Sequence, residues 1–236
     1  ISSVVKEAKS ILKSGYQEIT LLGQNVNSYK TPEGDFPILL DKLGKIRSIK
    51  RIRYTSPHPR DIDEELLKVM VKHDNICNQI HLPLQAGSSR ILKRMNRTYT
   101  KEEFLDLVDL IRKYIPDCGL STDIIVGFPG ETDEEFQETL EVVSKVKFDT
   151  AFMFKYSSRP GTKASHYTDH LSEETKQQRL QTLIEFQQNI SLMNNRKRIG
   201  LNLNVLIEKE SKKSANQWAG RIENNVWVIF DKKHLY

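Results

Sequence analysis

Only two cysteines, Cys77 and Cys118, occur among the 236 residues. Two thiols cannot make a disulfide framework or a four-thiolate metal site. No stretch approaches the roughly 18 consecutive apolar residues of a membrane span. The opening residues, Ile1 to Lys6, have no basic region followed by an apolar run, so no secretory signal is read there. Neither a Gly-x-Gly-x-x-Gly after a strand-like run nor a Gly-x-x-x-x-Gly-Lys-[Ser/Thr] loop is present, which weighs against a nucleotide-binding doubly wound sheet. Cys-x-x-Cys and Gly-x-Ser-x-Gly are missing too. These absences predict a soluble, cytoplasmic protein with no membrane partner. They leave the catalytic residues unknown and name no metal ligand.

What is present is an ordinary globular mixture, 38% hydrophobic and 28% charged, long enough for one large domain with a small appendage. Lysine and arginine number 36 against 31 acids, a net charge of +5. The excess is modest, but its distribution is uneven. From Lys42 to Arg60 seven cations occur with no acid, and a second cluster runs through Arg196, Lys197 and Arg198. Such clusters can neutralise phosphates, although solvated helix ends and strand edges produce the same pattern.

Hydrophobic periodicity alternates along the chain. Ser2–Ser14 reads as a helix stopped by Gly15, and 18–22 as a short strand. Residues around Leu39 to Leu43 are helical, 51–55 is a strand, and 66–70 is helical before a strand at 77–82. Thr100-Lys101-Glu102-Glu103 and Thr132-Asp133-Glu134-Glu135 are capping boxes that open two amphipathic helices. Residues 120–126 and 150–156 are strands, the second with Phe152, Phe154 and Tyr156 on one face. Five strands with helices between them predict parallel pairing, and a barrel or partial barrel is favoured. Beyond Gly161, residues 172–198 read as one long amphipathic helix with Leu180, Leu183, Ile184, Gln187, Ile190 and Met193 along it. Two strands follow, at 203–208 and 225–230, separated by a connection at 211–216. That segment of about 36 residues is too short to bury a core of its own.

Parallel (βα) barrels place their site at the C-terminal ends of the strands. Those ends carry Gln24, Asn25 and Asn27, then Ser56 and His58, then His81, Gln85 and Ser88, then Asp123, and last Tyr156, Ser157 and Arg159. Amides, hydroxyls and backbone groups mostly bind ribose hydroxyls, carboxylates and amines rather than react. The set reads as a cradle for a cofactor whose reactive part this sequence does not encode.

Five segments carry a family likeness. Leu21 to Tyr29 (LLGQNVNSY), Tyr54 to Pro59 (YTSPHP), Ile80 to Ser89 (IHLPLQAGSS), Ser121 to Thr132 (STDIIVGFPGET) and Tyr156 to Thr162 (YSSRPGT) resemble, in order, the radical S-adenosylmethionine methylthiotransferases. The first two segments look like the tRNA-2-methylthio-N6-dimethylallyladenosine synthase branch. The resemblance implies a partial (βα)6 radical-SAM barrel lacking its first strand over residues 1–165, a connecting helix at 166–200, and an incomplete small β-barrel of the TRAM type at 201–236. It also implies two [4Fe-4S] clusters in the intact enzyme, whose ligand cysteines are absent here. The chain is therefore expected to be an inactive fragment of a longer enzyme.

The implied function is transfer of a methylthio group to C2 of N6-isopentenyladenosine at position 37 of tRNA. The reaction begins when a reduced cluster cleaves S-adenosylmethionine to a 5′-deoxyadenosyl radical. Alternatives are a threonylcarbamoyladenosine or ribosomal-protein substrate, or a non-catalytic RNA-binding module. By the resemblance, Gln24 and Asn25 lie where the methionine amine binds, with Ser56 at the next strand end. Gln85 and Ser88 lie near the ribose, Asp123, Val126 and Phe128 near carboxylate and adenine, and Tyr156 against a base. The TRAM resemblance assigns RNA contacts to Arg196, Lys197, Arg198, Lys212, Lys213 and Arg221. Expected partners are the tRNA anticodon stem-loop and an electron donor for the cluster.

Overall fold

A computed structural model describes residues 1–55 and 57–235, with side chains through residue 233. Helix α1 (Ser2–Lys13) turns Val4, Val5 and Leu12 onto the core and leads into β1 (Glu18–Leu21). A small hairpin, β2 (Lys30–Thr31) and β3 (Gly34–Asp35), precedes α2 (Phe36–Gly44), whose first turn is capped by Asp35 accepting from the Ile38 N–H. Strand β4 (Arg51–Tyr54), helix α3 (Glu64–Lys72) and strand β5 (Gln79–His81) follow. Next come α4 (Ser89–Arg94), α5 (Lys101–Tyr114), β6 (Gly119–Val126), α6 (Asp133–Val146) and β7 (Thr150–Lys155). Both capping boxes form as the sequence predicts, Thr100 with Glu103 on α5 and Thr132 with Glu135 on α6. Helix α7 (Glu173–Arg196), capped by Ser172, leads to β8 (Leu206–Ser211), β9 (Ser214–Arg221) and β10 (Trp227–Asp231).

The parallel strands pair as β1–β4 and β5–β6–β7, and an isolated parallel bridge between Ile52 and Ile76 joins the two sets. Each new strand adds at the same edge, so the order never reverses. A doubly wound sheet has such a reversal, and a (βα) barrel does not. Along β6 Leu120, Ile124 and Val126 join the core, while Ser121, Asp123 and Ile125 alternate with them on the open, concave face. The core beneath holds Phe36, Leu40, Ile52, Leu67, Ile80 and Phe104, all essentially inaccessible. Each such side chain contributes roughly 1.5–3 kcal/mol on burial.

Several elements depart from the sequence reading. The strand expected at 77–82 contracts to β5, because the Gln79 N–H closes a local bond to the Cys77 carbonyl. The connection expected at 211–216 is mostly strand. β9, which starts at Ser214, is the centre of an antiparallel β8–β9–β10 meander. Apart from Trp218 its residues are small or polar (SANQWAGR), so they give no clear period-two signal. Met193 is 56% exposed, so the apolar stripe of α7 ends at Ile190.

The meander docks at the N-terminal ends of the parallel strands. The Arg53 guanidinium donates to the Ile222 and Glu223 carbonyls at 3.0 and 2.8 Å, and its Nε meets Glu18 Oε2 at 3.2 Å. Arg51 donates to the Asn204 carbonyl at 2.8 Å and to that of Arg221. In return, Glu223 accepts from the Asn78 N–H at 3.2 Å, and Asn224 donates to the Asp117 carbonyl at 2.9 Å. The seam is polar and almost fully satisfied, which is how buried arginines are tolerated. Arg53→Met should therefore cost about 3 kcal/mol, by stranding two carbonyls and one oxygen of Glu18, whose other oxygen keeps Arg221. Urea unfolding measures that loss, and limited proteolysis should show faster cleavage of the 199–204 linker.

Candidate functional site

Two clefts open at the C-terminal ends of the strands and share Gln85, Asn96, Arg97 and Asp123. The wider one, about 960 Å3, runs past Phe128, Phe154, Tyr156 and Tyr167. The narrower one, about 220 Å3, lies between Gln24, Asn25, His58, His81 and Asp123. Together they form one trough across the barrel mouth.

At the trough's centre, His81 bridges Ser121 Oγ (3.0 Å) and Asp123 Oδ2 (3.2 Å) through its two ring nitrogens. Both partners lie on the concave face of β6, so the sheet's period-two alternation lines the three up. Gln85 is held at φ +70°, a left-handed conformation uncommon for a residue with a Cβ. Its N–H donates to the Asp123 carbonyl (2.8 Å), and its carbonyl accepts from Ile125 (2.9 Å). These bonds fix the backbone, and the side-chain oxygen accepts from Arg97 at 2.9 Å.

The far wall depends on the turn after β6. Gly127 and Gly130 take positive φ, and a Cβ on Gly130 would lie 2.2 Å from an Asp169 oxygen. The buried Glu131 carboxylate accepts from the Gly127 N–H at 3.1 Å and pairs with Arg179 at 2.6 Å. Burial pushes the Glu131 carboxyl up, and those two donors pull it back only in part. Phe128 is thereby held edge-on to Tyr156, with centroids 5.0 Å apart, and to Tyr167 at 6.3 Å. Tyr156 is 91% buried, yet its hydroxyl finds no hydrogen-bond partner.

Of the residues named from the sequence, Gln24, Asn25, Gln85, Asp123, Phe128 and Tyr156 come together around the trough. Ser56 lies outside the described residues. Val126 and Ser88 line neither cleft. Val126 falls on the buried side of β6, one residue out of phase with Asp123 and Ile125. Ser88 caps α4 and donates to Glu135 at 2.9 Å, beneath the surface. Asn27 is spent on structure, since its side-chain amide accepts from the His58 N–H and donates to the His58 carbonyl. The sequence reading misses Arg97, Asn96, Arg94 and Tyr167. The mostly polar run Lys93 to Thr98, which begins in the last turn of a six-residue helix, was the available signal, but α4 is too short to show a period.

The six cations assigned to RNA form no single surface. Arg196 and Lys197 are exposed at the end of α7, and Lys212 and Lys213 are exposed on the β8–β9 turn. Arg198 pairs with Asp149 at 2.5 Å. Arg221 pairs with Glu18 at 2.9 Å and with Glu208, inside the seam at the strands' N-terminal ends.

With this geometry in view, the comparisons decide the family. Residues 1–143 match the Radical SAM superfamily. The chain belongs to that superfamily. Among solved structures it is similar to coproporphyrinogen III oxidase from Escherichia coli, a radical SAM enzyme, with a TM-score of 0.53 at 16% identity over 93% of this chain and 61% of the other. It is also similar to a radical S-adenosylmethionine methyltransferase from Kitasatospora setae, with a TM-score of 0.52 at 18% identity over 65% of this chain and 30% of that one. Both likenesses concern the fold. In sequence it is 49% identical, over its full length and 53% of the relative, to a tRNA-2-methylthio-N(6)-dimethylallyladenosine synthase of Parabacteroides distasonis. It is 48% identical, over 96% of the chain and 49% of the relative, to a synthase of the same name from Thermoanaerobacter. The chain spans about half the length of these curated relatives. Among the described residues no helix is long and apolar enough to cross a membrane.

The residues present do not fit the iron–sulfur cluster that a radical SAM fold implies. Burial pushes the Cys77 thiol up to about 11 and the Cys118 thiol up to about 12, the reverse of what a thiolate ligand needs. Among the described residues no three His, Cys, Asp or Glu side chains group to hold a metal.

Glu135 supplies a pH test of the frame under the trough. Burial alone would raise its pKa, but Arg90, the Thr132 N–H and the Ser88 hydroxyl hold it down at about 2, against an ordinary 4.5. A depressed carboxylate stabilises the fold fully above its unfolded value and loses that contribution as pH falls through the folded one. Glu135→Gln should lower the urea midpoint at neutral pH and flatten its decline between about pH 5 and 2. Unfolding measured across that range checks both effects.

Proposed function

We propose that this chain is the cofactor- and substrate-binding body of a methylthiotransferase that acts on C2 of N6-isopentenyladenosine at position 37 of tRNA. One observation carries the proposal: nearly half the residues are identical, along the whole chain, to relatives bearing the synthase name. Residues 1–165 would form the barrel portion and 166–200 the connector. The antiparallel meander in 201–236 supports reading that segment as part of a TRAM-type barrel. The anticodon stem-loop as substrate, an electron donor as partner and a cytoplasmic location belong to the same reading.

The trough fits S-adenosylmethionine by its donor set and by the orphaned Tyr156 hydroxyl, which with Arg94 Nε is one of two buried unpartnered polar atoms of its lining residues among those described. The narrow cleft offers amides from Gln24 and Asn25 and the Asp123 carboxylate, suited to the methionine amine. Among the described residues Arg97 is the only lysine or arginine lining it, and so the natural counterion for the methionine carboxylate. The wide cleft offers the Phe128 and Tyr156 rings as walls for a nucleoside, and the unpartnered Tyr156 hydroxyl would find its acceptor or donor there. When bound, the cofactor supplies radical chemistry that the protein's own side chains lack. The chain's residues orient it, hold Arg97 through Gln85, and line the site with aromatic carbon that keeps water out.

Two outcomes follow. In the intact enzyme Tyr156→Phe should weaken S-adenosylmethionine by about 2- to 10-fold, because the hydroxyl loses its first partner. Calorimetric titration measures it, and unchanged affinity removes Tyr156 from the cradle. Nucleoside mass spectrometry on total tRNA from cells lacking the gene should show loss of 2-methylthio-N6-isopentenyladenosine and build-up of the unthiolated form. Loss of the methylthio group from the threonylcarbamoyl derivative instead would move the chain to the sister substrate.

A further inference from the structure

Two of the cations assigned to RNA from the sequence lie away from the trough. Arg198 and Arg221 are bound to Asp149 and Glu18 at the N-terminal ends of the strands. The trough opens at the opposite ends, and its rim carries a different set. Six cations line the wide cleft against one described acid, Asp123. Three of the six are engaged: Arg94 with Asp169, Lys155 with Glu173, and Arg97 with Gln85. Lys93, Arg159 and Lys163 make no ion pair among the described residues, and all three remain on the rim.

Arg159 is presented by a preformed turn. Pro160 occupies its second position, and Gly161, at φ +80°, its third. This is the type II signature. The Thr162 N–H and hydroxyl both donate to the Arg159 carbonyl, at 3.2 and 2.8 Å. The Ser165 N–H and hydroxyl return to the Thr162 carbonyl, at 3.1 and 2.6 Å. A Cβ on Gly161 would meet nothing within 4 Å, so packing does not demand this order. Just inside the rim, Phe154 stands 54% exposed in the cleft lining, and the Arg94 guanidinium lies 4.5 Å from the Tyr167 ring. Cations interleaved with open aromatic faces suit unpaired bases and their phosphates better than an acidic peptide, which has no π face to stack.

We propose that Lys93, Arg159 and Lys163 grip the phosphates flanking the target nucleoside of a single-stranded RNA loop, while Phe154 stacks on a neighbouring base. The inference rests on the proposed function, since it takes the RNA loop as substrate. It adds which residues hold that loop and at which end of the barrel.

The test uses the intact enzyme and a synthetic RNA hairpin carrying N6-isopentenyladenosine in its loop. The triple variant K93Q/R159Q/K163Q should bind the hairpin about 10- to 100-fold more weakly at moderate salt, and its log–log salt slope should fall by about 2 to 3. KM for RNA should rise with little change in kcat, and S-adenosylmethionine affinity should stay within twofold, which also reports an intact cleft. Arg159→Lys should retain most of the slope. Phe154→Leu should weaken the hairpin about tenfold with the slope unchanged. Wild-type binding with an unaltered slope in the triple variant overturns this inference and leaves the proposed function standing. Failure of the wild-type enzyme to bind the hairpin, with binding of an acidic peptide instead, overturns both.

Discussion

Glu131 sits buried under the turn that ends β6, where its carboxylate accepts the Gly127 N–H and meets the Arg179 guanidinium. Arg179 belongs to α7 and reaches Asp133 at the start of α6 through its other nitrogen. One charge pair thus ties a strand end and two helices together. A buried carboxylate is costly unless its oxygens are filled by donors. Here the donors come from separate segments, so filling them fixes the segments' relative positions. The edge-to-face set of Phe128, Tyr156 and Tyr167 inherits its geometry from that tie.

The two ends of the barrel use arginine differently. At the N-terminal ends Arg51 and Arg53 spend their donors on backbone carbonyls of the meander, and Arg221 answers with Glu18. The guanidinium fork matches several acceptors at once, which lets a small β segment without its own core pack against the barrel. At the mouth Arg159 and Lys93 make no ion pair among the described residues, and Arg97 donates to Gln85. Bound charge makes a seam, and unpaired charge is what the proposed grip on RNA requires.

Local signals were legible because their causes are local. Thr100 and Thr132 cap their helices by bonds spanning three residues, so the pattern in the chain is the interaction itself. Gln24, Asn25, Asp123 and Tyr156 were legible as a site because parallel strands bring their C-terminal ends together whatever the helices between them do. Val126 and Ser88 show the boundary of that reasoning. Both lie at strand ends or beyond, yet a single residue's phase sends Val126 into the core, and a cap with Glu135 takes Ser88 below the surface. Strand β9 failed for another reason, since Ala219 and Gly220 are buried by closeness of the backbone rather than by apolar bulk.

The sequence by itself determined the alternation of five strands with helices, the parallel class of the barrel, the two capping boxes and the motifs that carry the family. Each depends on neighbours within a few residues or on a period that every turn repeats. Tertiary structure alone decided which cations are free. Arg221 and Arg159 are chemically identical on the page of letters, but one faces Glu18 across some two hundred residues of chain and the other faces solvent on a rigid turn. Charge is a property of a residue, whereas its availability depends on the partner the fold places beside it.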